Sequence, residues 1–295
     1  MKALIKAAFR KATGLEISRY NKERSERWSP FVEDYYPVHA QPRWGHGLQS
    51  HVHIKELLSR DIEAFKALLI DFKRYRDYLD GIPFEQSSDG SPYWNNIWFS
   101  ALDAAALSCF LLGSNPKTYL EVGSGFSTRF ARRAITHGSL KTKLISIDPQ
   151  PRSEIDALCD NIVRSPLETA DLSPFHSLRA GDIAFFDGSH RVFTNADTTV
   201  FFMDVLPALK SGVLIHFHDI FWPDDYTPDW NRRLYSEQYV LGAMMLGGMS
   251  KFEVVLPNYF VSTNQDSSHL VDNLGIPTRY PGTSKPGLSF WIRVK

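Results

Sequence analysis

The stretch Thr118-Tyr-Leu-Glu121-Val-Gly123-Ser-Gly125-Phe-Ser127-Thr128 restricts this chain more than any other. It reads as a short apolar strand that ends in a carboxylate, then a glycine turn, then a helix start. Glycines let backbone approach a ligand where a Cβ would clash. The free amides of a helix start suit polar or negative ligand groups. A second apolar run, Leu144-Ile-Ser-Ile, ends in Asp148, 27 residues after Glu121. Strand, glycine turn, helix, strand and acid are the order of a nucleotide-binding half-sheet, with the second acid placed for ribose hydroxyls.

The rest of the chain extends this order. Residues 14–52 are rich in Pro, Trp, Tyr and His, show no clean period, and read as an irregular wrap. Ile54, Leu57, Leu58, Ile62, Phe65, Leu68, Leu69, Phe72 and Leu79 predict one long amphipathic helix, stopped by Gly81-Ile-Pro83. A polar loop ends near Pro92. Beyond it a helix is expected over Trp98–Leu112, and further strands at Asn161–Arg164, Asp182–Asp187, Val213–His218, Phe252–Leu256 and Leu288–Val294. Helices are expected at about 198–209 and 236–246. Continuous apolar strands alternating with helices mean a mainly parallel sheet covered on both faces. The expected fold is therefore α/β: a doubly wound, mainly parallel seven-stranded sheet over residues 93–295, preceded by a mostly helical cap over residues 1–92.

Composition narrows the surroundings. Lys plus Arg and Asp plus Glu are equal at 33 each, which gives no global pull toward nucleic acid. Two cysteines, Cys109 and Cys159, make neither a disulfide framework nor a cysteine zinc site, and a reducing cytoplasm is the simplest setting. No apolar run is long enough to span a membrane. In residues 1–12, Lys2, Lys6 and Arg10 share one helical face and Leu4, Ile5, Ala8 and Phe9 another. That face packs on its own domain or touches a membrane surface. Homo-oligomerisation is left open.

Ligands of open parallel sheets bind beyond the carboxyl ends of the strands. Glu121, Asp148, Asp187 and Asp219 all stand at such ends. At this point a resemblance enters. Glu121-Val-Gly-Ser-Gly-Phe-Ser resembles the first motif of class I S-adenosylmethionine-dependent methyltransferases, which have a Rossmann-like sheet. Gly181-Asp-Ile-Ala-Phe-Phe-Asp-Gly-Ser-His190 and Leu206-Pro-Ala-Leu-Lys-Ser-Gly-Val-Leu-Ile-His-Phe-His-Asp-Ile-Phe-Trp-Pro223 are similar to small-molecule O-methyltransferases, nearest to bacterial members with DGSH-type and HD-type segments.

The resemblance implies S-adenosylmethionine as cofactor and a small-molecule acceptor, methylated at a hydroxyl oxygen. Glu121, Gly123, Ser124, Gly125, Ser127, Asp148 and Asp187 would line the cofactor site, with Glu121 at its floor and Asp148 on the ribose. Carboxylates around a cationic sulfonium are favourable in their own right. Asp187, His218 and Asp219 fall at the positions where related enzymes hold a divalent metal ion, although His218 stands where an oxygen ligand is common. Without metal, His190 or His218 is the natural general base, with Asp187 beside it. His216 reads as a core residue, and His39, His46, His51 and His53 carry no role. Two rivals remain: an NAD-linked oxidoreductase, and a non-catalytic cofactor-binding protein acting through a partner. Against the first, Thr128 stands where the usual dinucleotide loop has its third glycine. A nucleic-acid methyltransferase is disfavoured because Asp187-Gly-Ser-His replaces a Pro-Pro-Tyr type of motif.

Overall fold

The computed structural model describes residue 11 and residues 41–88, 90–151, 154–277 and 286–295. The amphipathic stretch expected in residues 1–12 and most of the wrap expected in 14–52 lie outside these. Residues Gln41–Lys295 form one compact unit. Position 92 lies within this unit.

Among the described residues, that unit is organised by seven strands: β1 (Thr118–Val122), β2 (Lys143–Ile147), β3 (Asn161–Val163), β4 (Ile183–Phe186), β5 (Leu214–Phe217), β6 (Phe252–Pro257) and β7 (Phe290–Val294). They lie in the order β3-β2-β1-β4-β5-β7-β6. The first five are parallel to their neighbours, and β7 runs antiparallel to both β5 and β6. Every residue of β4 and β5 is buried. Neighbours along a strand point to opposite faces, so both faces of the sheet are covered. This is the expected Rossmann-like, mainly parallel, seven-stranded architecture.

The helices are α1 (Val52–Arg60), α2 (Ile62–Phe72), α3 (Arg76–Asp80), α4 (Ala101–Ser114), α5 (Phe126–His137), α6 (Ser173–Ser177), α7 (Asp197–Val200), α8 (Leu206–Ala208), α9 (Glu237–Leu246), α10 (Asn258–Thr263) and α11 (Ser268–Asp272). The single long helix expected from Ile54 is broken. Asp61 leaves the helical region at φ −102° and ψ 12°, and a 3-10 turn, Lys73–Tyr75, separates α2 from α3. The buried residues Ile54, Leu58, Phe65, Leu69 and Phe72 keep their helical spacing across the break, so the period hides it. The helix expected from Trp98 starts at Ala101. Asn96 Oδ1 accepts the amides of Trp98 and Phe99 at 3.1 and 2.7 Å, which holds a turn there, and Ser100 Oγ caps the helix by accepting Asp103 N–H. Residues 101–111 of α4 are all buried, as expected of a helix apolar all round. Among the described residues, no helix is long and apolar enough to cross a membrane.

Candidate active site

Strand register gathers the strand-end residues. Val122 pairs with Ile147 and Phe186, and Phe186 with Phe217. The residues that follow therefore leave the sheet side by side. Gly123 N–H donates to Ile147 O at 3.1 Å, Asp187 N–H to Val122 O at 2.9 Å, and His218 N–H to Phe186 O at 3.1 Å. Gly123, Asp148, Asp187 and His218 thus share one carboxyl edge.

The glycine turn has two different glycines. Gly123 has φ +79°, and a Cβ there would overlap the Asp187 carbonyl. Gly125 is extended at φ 175°, and a Cβ on it would meet nothing within 4 Å. The first glycine permits close packing of two strand ends; the second leaves open room. Thr128 accounts for the missing third glycine. Its Oγ1 accepts Gly125 N–H at 2.9 Å and donates to Glu121, so one hydroxyl caps α5 and anchors the acid. Ser127 Oγ and Tyr119 OH also donate to Glu121, at 3.2 and 3.0 Å. Glu121 is fully buried. Burial outweighs these donors and pushes its carboxyl up to about 7. Ser124 turns its hydroxyl onto Ser146, at 2.7 Å. The hydroxyls of Ser124 and Ser127 therefore face inward, leaving their backbone to the turn. Asp148 ties two loops: one oxygen accepts Ser124 N–H at 2.8 Å and the other Gln150 N–H at 2.7 Å.

The second group surrounds Asp187. His218 Nδ1 lies 3.6 Å from Asp187 Oδ1 and 3.4 Å from Asp219 Oδ1. Donor atoms of Asp187, His218 and Asp219 all fall within 4.8 Å of one another. His190 Nε2 lies 3.2 Å from Asp187 Oδ1 and 3.4 Å from Asp219 Oδ2. Both His190 and Asp219 hold positive φ, at +62° and +60°, conformations that non-glycine residues seldom adopt. Burial works against charge on either imidazole, but the carboxylates prevail. Glu237 chiefly raises His190, and Asp219 with Asp187 raises His218, both well above the ordinary range. Burial also opposes charge on Asp187, yet His218 and His190 hold its carboxyl well below the usual range. Its side chain keeps 32% of its surface open, which softens that effect. Asp219 is raised, by burial above all.

Two further carboxylates reach the imidazoles from helices. Glu237, in the first turn of α9, places Oε1 2.5 Å from His190 Nδ1. Asp103, on α4, places Oδ2 3.4 Å from His218 Nε2 and accepts the amides of Leu288 and Ser289 and the side chain of Asn258. Burial pushes Asp103 up, but His218 and the Leu288 amide outweigh it and hold it at about 2. An acid inside the apolar run Ala101-Leu-Asp-Ala-Ala-Ala-Leu was the available signal. Glu237 had none, because an acid in a first helical turn is ordinary.

Three other histidines have structural partners. His216 is buried, stacks on Phe185 at 3.9 Å and bonds Ser289 Oγ at 2.6 Å. Burial and then His218 keep it neutral. His51 Nδ1 caps α1, and His46 Nε2 sits 2.7 Å from Asp225 O.

Residues 120–220, which hold this edge, match the model of a family described as a methyltransferase domain. Among solved structures the chain is similar to the Podospora anserina methyltransferase PaMTH1 bound to SAH, at 13% identity and TM-score 0.41, over 85% of this chain and all of that one. It is also similar to an O-methyltransferase from Bacillus cereus in complex with SAH, at 14% identity and TM-score 0.38, over 78% of this chain and 91% of that one. No curated protein matches it in sequence.

Proposed function

We propose that this methyltransferase domain moves the methyl group of S-adenosylmethionine to a hydroxyl oxygen of a small acceptor. The observation that carries the reading is one contact between two half-sites. The Gly123 turn, with its buried Glu121 and the open space at Gly125, presses against the backbone of Asp187, and Asp187 belongs to the His190–His218–Asp219 cluster. A cofactor cradle and a proton-handling cluster therefore share one wall.

In this reading Gly123, Ser124, Gly125 and Ser127 supply the backbone of the cradle, Glu121 its floor, and Asp148 the ribose contacts. Asp187 closes the cradle on the acceptor side. The acceptor oxygen attacks the methyl carbon in line, the carbon–sulfur bond breaks, and adenosylhomocysteine leaves. Positioning and loss of the hydroxyl proton supply the catalysis. His218 or His190 takes that proton once its own ring is neutral, which the surrounding carboxylates shift to higher pH, with Asp187 holding the imidazole. Asp187, His218 and Asp219 also fit a divalent ion, which when bound would lower the pKa of the acceptor hydroxyl.

Residues 41–92 are assigned an acceptor-side role. Arg43 and Trp44 donate their amides to Asp225, at 2.5 and 3.0 Å, so residues 41–51 are clamped to the loop that follows Asp219. The free thiols of Cys109 and Cys159 fit a cytoplasmic setting.

Calorimetry with adenosylhomocysteine and with NAD tests the cofactor. Transfer of labelled methyl to a panel of small alcohols, phenols, amines and thiols tests the acceptor. Adenosylhomocysteine binding and label on oxygen are expected. NAD binding without adenosylhomocysteine binding would overturn the reading, and label on nitrogen or sulfur would overturn its oxygen part.

A further inference from the structure

The segment after His190 and the segment before Glu237 are zipped together beside the candidate site. His190 O accepts the amides of Ser236 and Glu237 at 2.8 and 3.3 Å. Val192 N–H donates to Ser236 Oγ at 2.9 Å, and Arg191 Nε to Arg233 O at 2.8 Å. His190 and Leu234 both hold positive φ, at +62° and +54°, backbone that persists only where its surroundings enforce it. The zipper sets two guanidiniums over one ring. Arg191 Cζ and Arg233 Cζ lie 5.8 and 5.5 Å from the centroid of Tyr235, and Arg233 also lies over Trp230, at 4.1 Å.

Tyr235 connects this pair to the chemistry. Its ring lies 4.3 Å from that of His190, whose Nε2 is 3.2 Å from Asp187. Trp230 and Tyr235 meet edge to face and pack against the buried Phe221 and Tyr226, so packing fixes the platform. The other contacts of the two guanidiniums are with a carbonyl and a hydroxyl. Among the described residues neither meets a carboxylate.

We propose that Arg191 and Arg233 form an anion subsite for the acceptor, which carries a carboxylate or phosphate group away from the hydroxyl that is methylated. Tyr235 spans the distance between the two ends. Guanidiniums bind such oxyanions through paired N–H donors, and two cations held on one ring are placed for that before the ligand arrives. That the bound molecule is the acceptor rests on the methyl-transfer reading; anion binding by the two arginines does not.

The test uses the full chain, alone and with adenosylhomocysteine. Calorimetry compares three probes of one shape: para-hydroxyphenylacetate, para-hydroxybenzylphosphonate and the neutral para-hydroxyphenylacetamide. At least one anion is expected to bind about tenfold or more tighter than the amide, and the tighter of the two tells carboxylate from phosphate. Arg191→Gln and Arg233→Gln should each lower anion affinity by about tenfold or more, and amide affinity hardly at all. Arg233→Lys keeps the charge but loses the fork, and should fall between. Thermal melting shows whether the variants fold. Arg233 is exposed, so its variants decide should Arg191→Gln not fold. Anion affinity unchanged in Arg233→Gln, amide bound as tightly as both anions, or neither anion bound would each overturn the proposal. Adenosylhomocysteine affinity separates the two readings. Cofactor bound without anion preference would sink the subsite alone, and anion preference without cofactor binding would sink the transfer reading alone.

Discussion

A side-chain carbon on Gly123 would overlap the carbonyl oxygen of Asp187. The turn after β1 and the end of β4 are packed backbone to backbone, and the hydrogen bond from Asp187 N–H to Val122 O joins them.

The two glycines of the turn should therefore respond differently. Gly123→Ala meets both a clash and a strained φ, and should cost roughly 1–3 kcal/mol or more of stability. Gly125→Ala has free space and extended backbone, and should leave the melting temperature close to wild type. It should still weaken adenosylhomocysteine binding by tenfold or more, through a methyl placed in the cradle. Thermal melts and calorimetry on both variants check this. Equal binding by wild type and Gly125→Ala would show that the open space is not the ligand's.

Asp148 joins the two loops of the cradle through the amides of Ser124 and Gln150. Asp148→Ala removes these bonds along with those expected to ribose. Charge-assisted hydrogen bonds are worth roughly 1.5–3 kcal/mol each, so adenosylhomocysteine affinity should fall tenfold or more. Calorimetry on Asp148→Asn, which keeps one acceptor oxygen, should fall between wild type and Asp148→Ala.

Glu121 gives stability a pH dependence of known sign. Its carboxyl is raised from 4.5 to about 7 in the fold, so between those values the folded chain holds a proton that the unfolded chain has lost. Stability from this group is complete below about 4.5 and is lost as pH rises through about 7. Glu121→Gln should remove the slope and gain on wild type above pH 7, by an amount on the order of 1–3 kcal/mol. Denaturant melts of both proteins from pH 5 to pH 8 measure the difference. A difference that does not change with pH would mean that Glu121 stays ionised throughout.

Asp187 stands on the acceptor side of the shared wall. Asp187→Ala should lower kcat by about 100-fold or more while changing adenosylhomocysteine affinity only a few-fold, since loss of a proton-handling group is worth about 100–10,000-fold. Steady-state rates beside calorimetry separate the two. Loss of affinity equal to loss of rate would move Asp187 to the cofactor side.

Much of this architecture could be read from residue order. Strands buried on both faces are written as unbroken apolar runs, and Ile183–Phe186 and Leu214–Phe217 could hardly be anything else. Strand-end acids were legible for the same reason, because a parallel sheet puts every strand terminus on one edge. The break at Asp61 was not legible, since the apolar period runs through it. Glu237 was invisible because its meaning depends on His190, 47 residues earlier in the chain. Thr128 was read only as a glycine that is missing, whereas its hydroxyl holds both the helix start and Glu121. Sequence periodicity reports which face of an element is buried. It does not report which distant polar group will be waiting there.

Asp103 also sets an order in time. Its carboxylate, which faces His218, takes the amides of Leu288 and Ser289, 185 and 186 residues further along the chain. During synthesis β1, β2 and β4, with the glycine turn, emerge long before those amides exist. A nascent chain can therefore shape the cradle while the imidazole side still lacks its support. Only when β7 has docked does Asp103 gain its two backbone donors, beside the side-chain donors of Ser100 and Asn258. Loss of Leu288–Val294 would take away those two amides together with the buried Phe290 and Trp291 of the strand between β5 and β6.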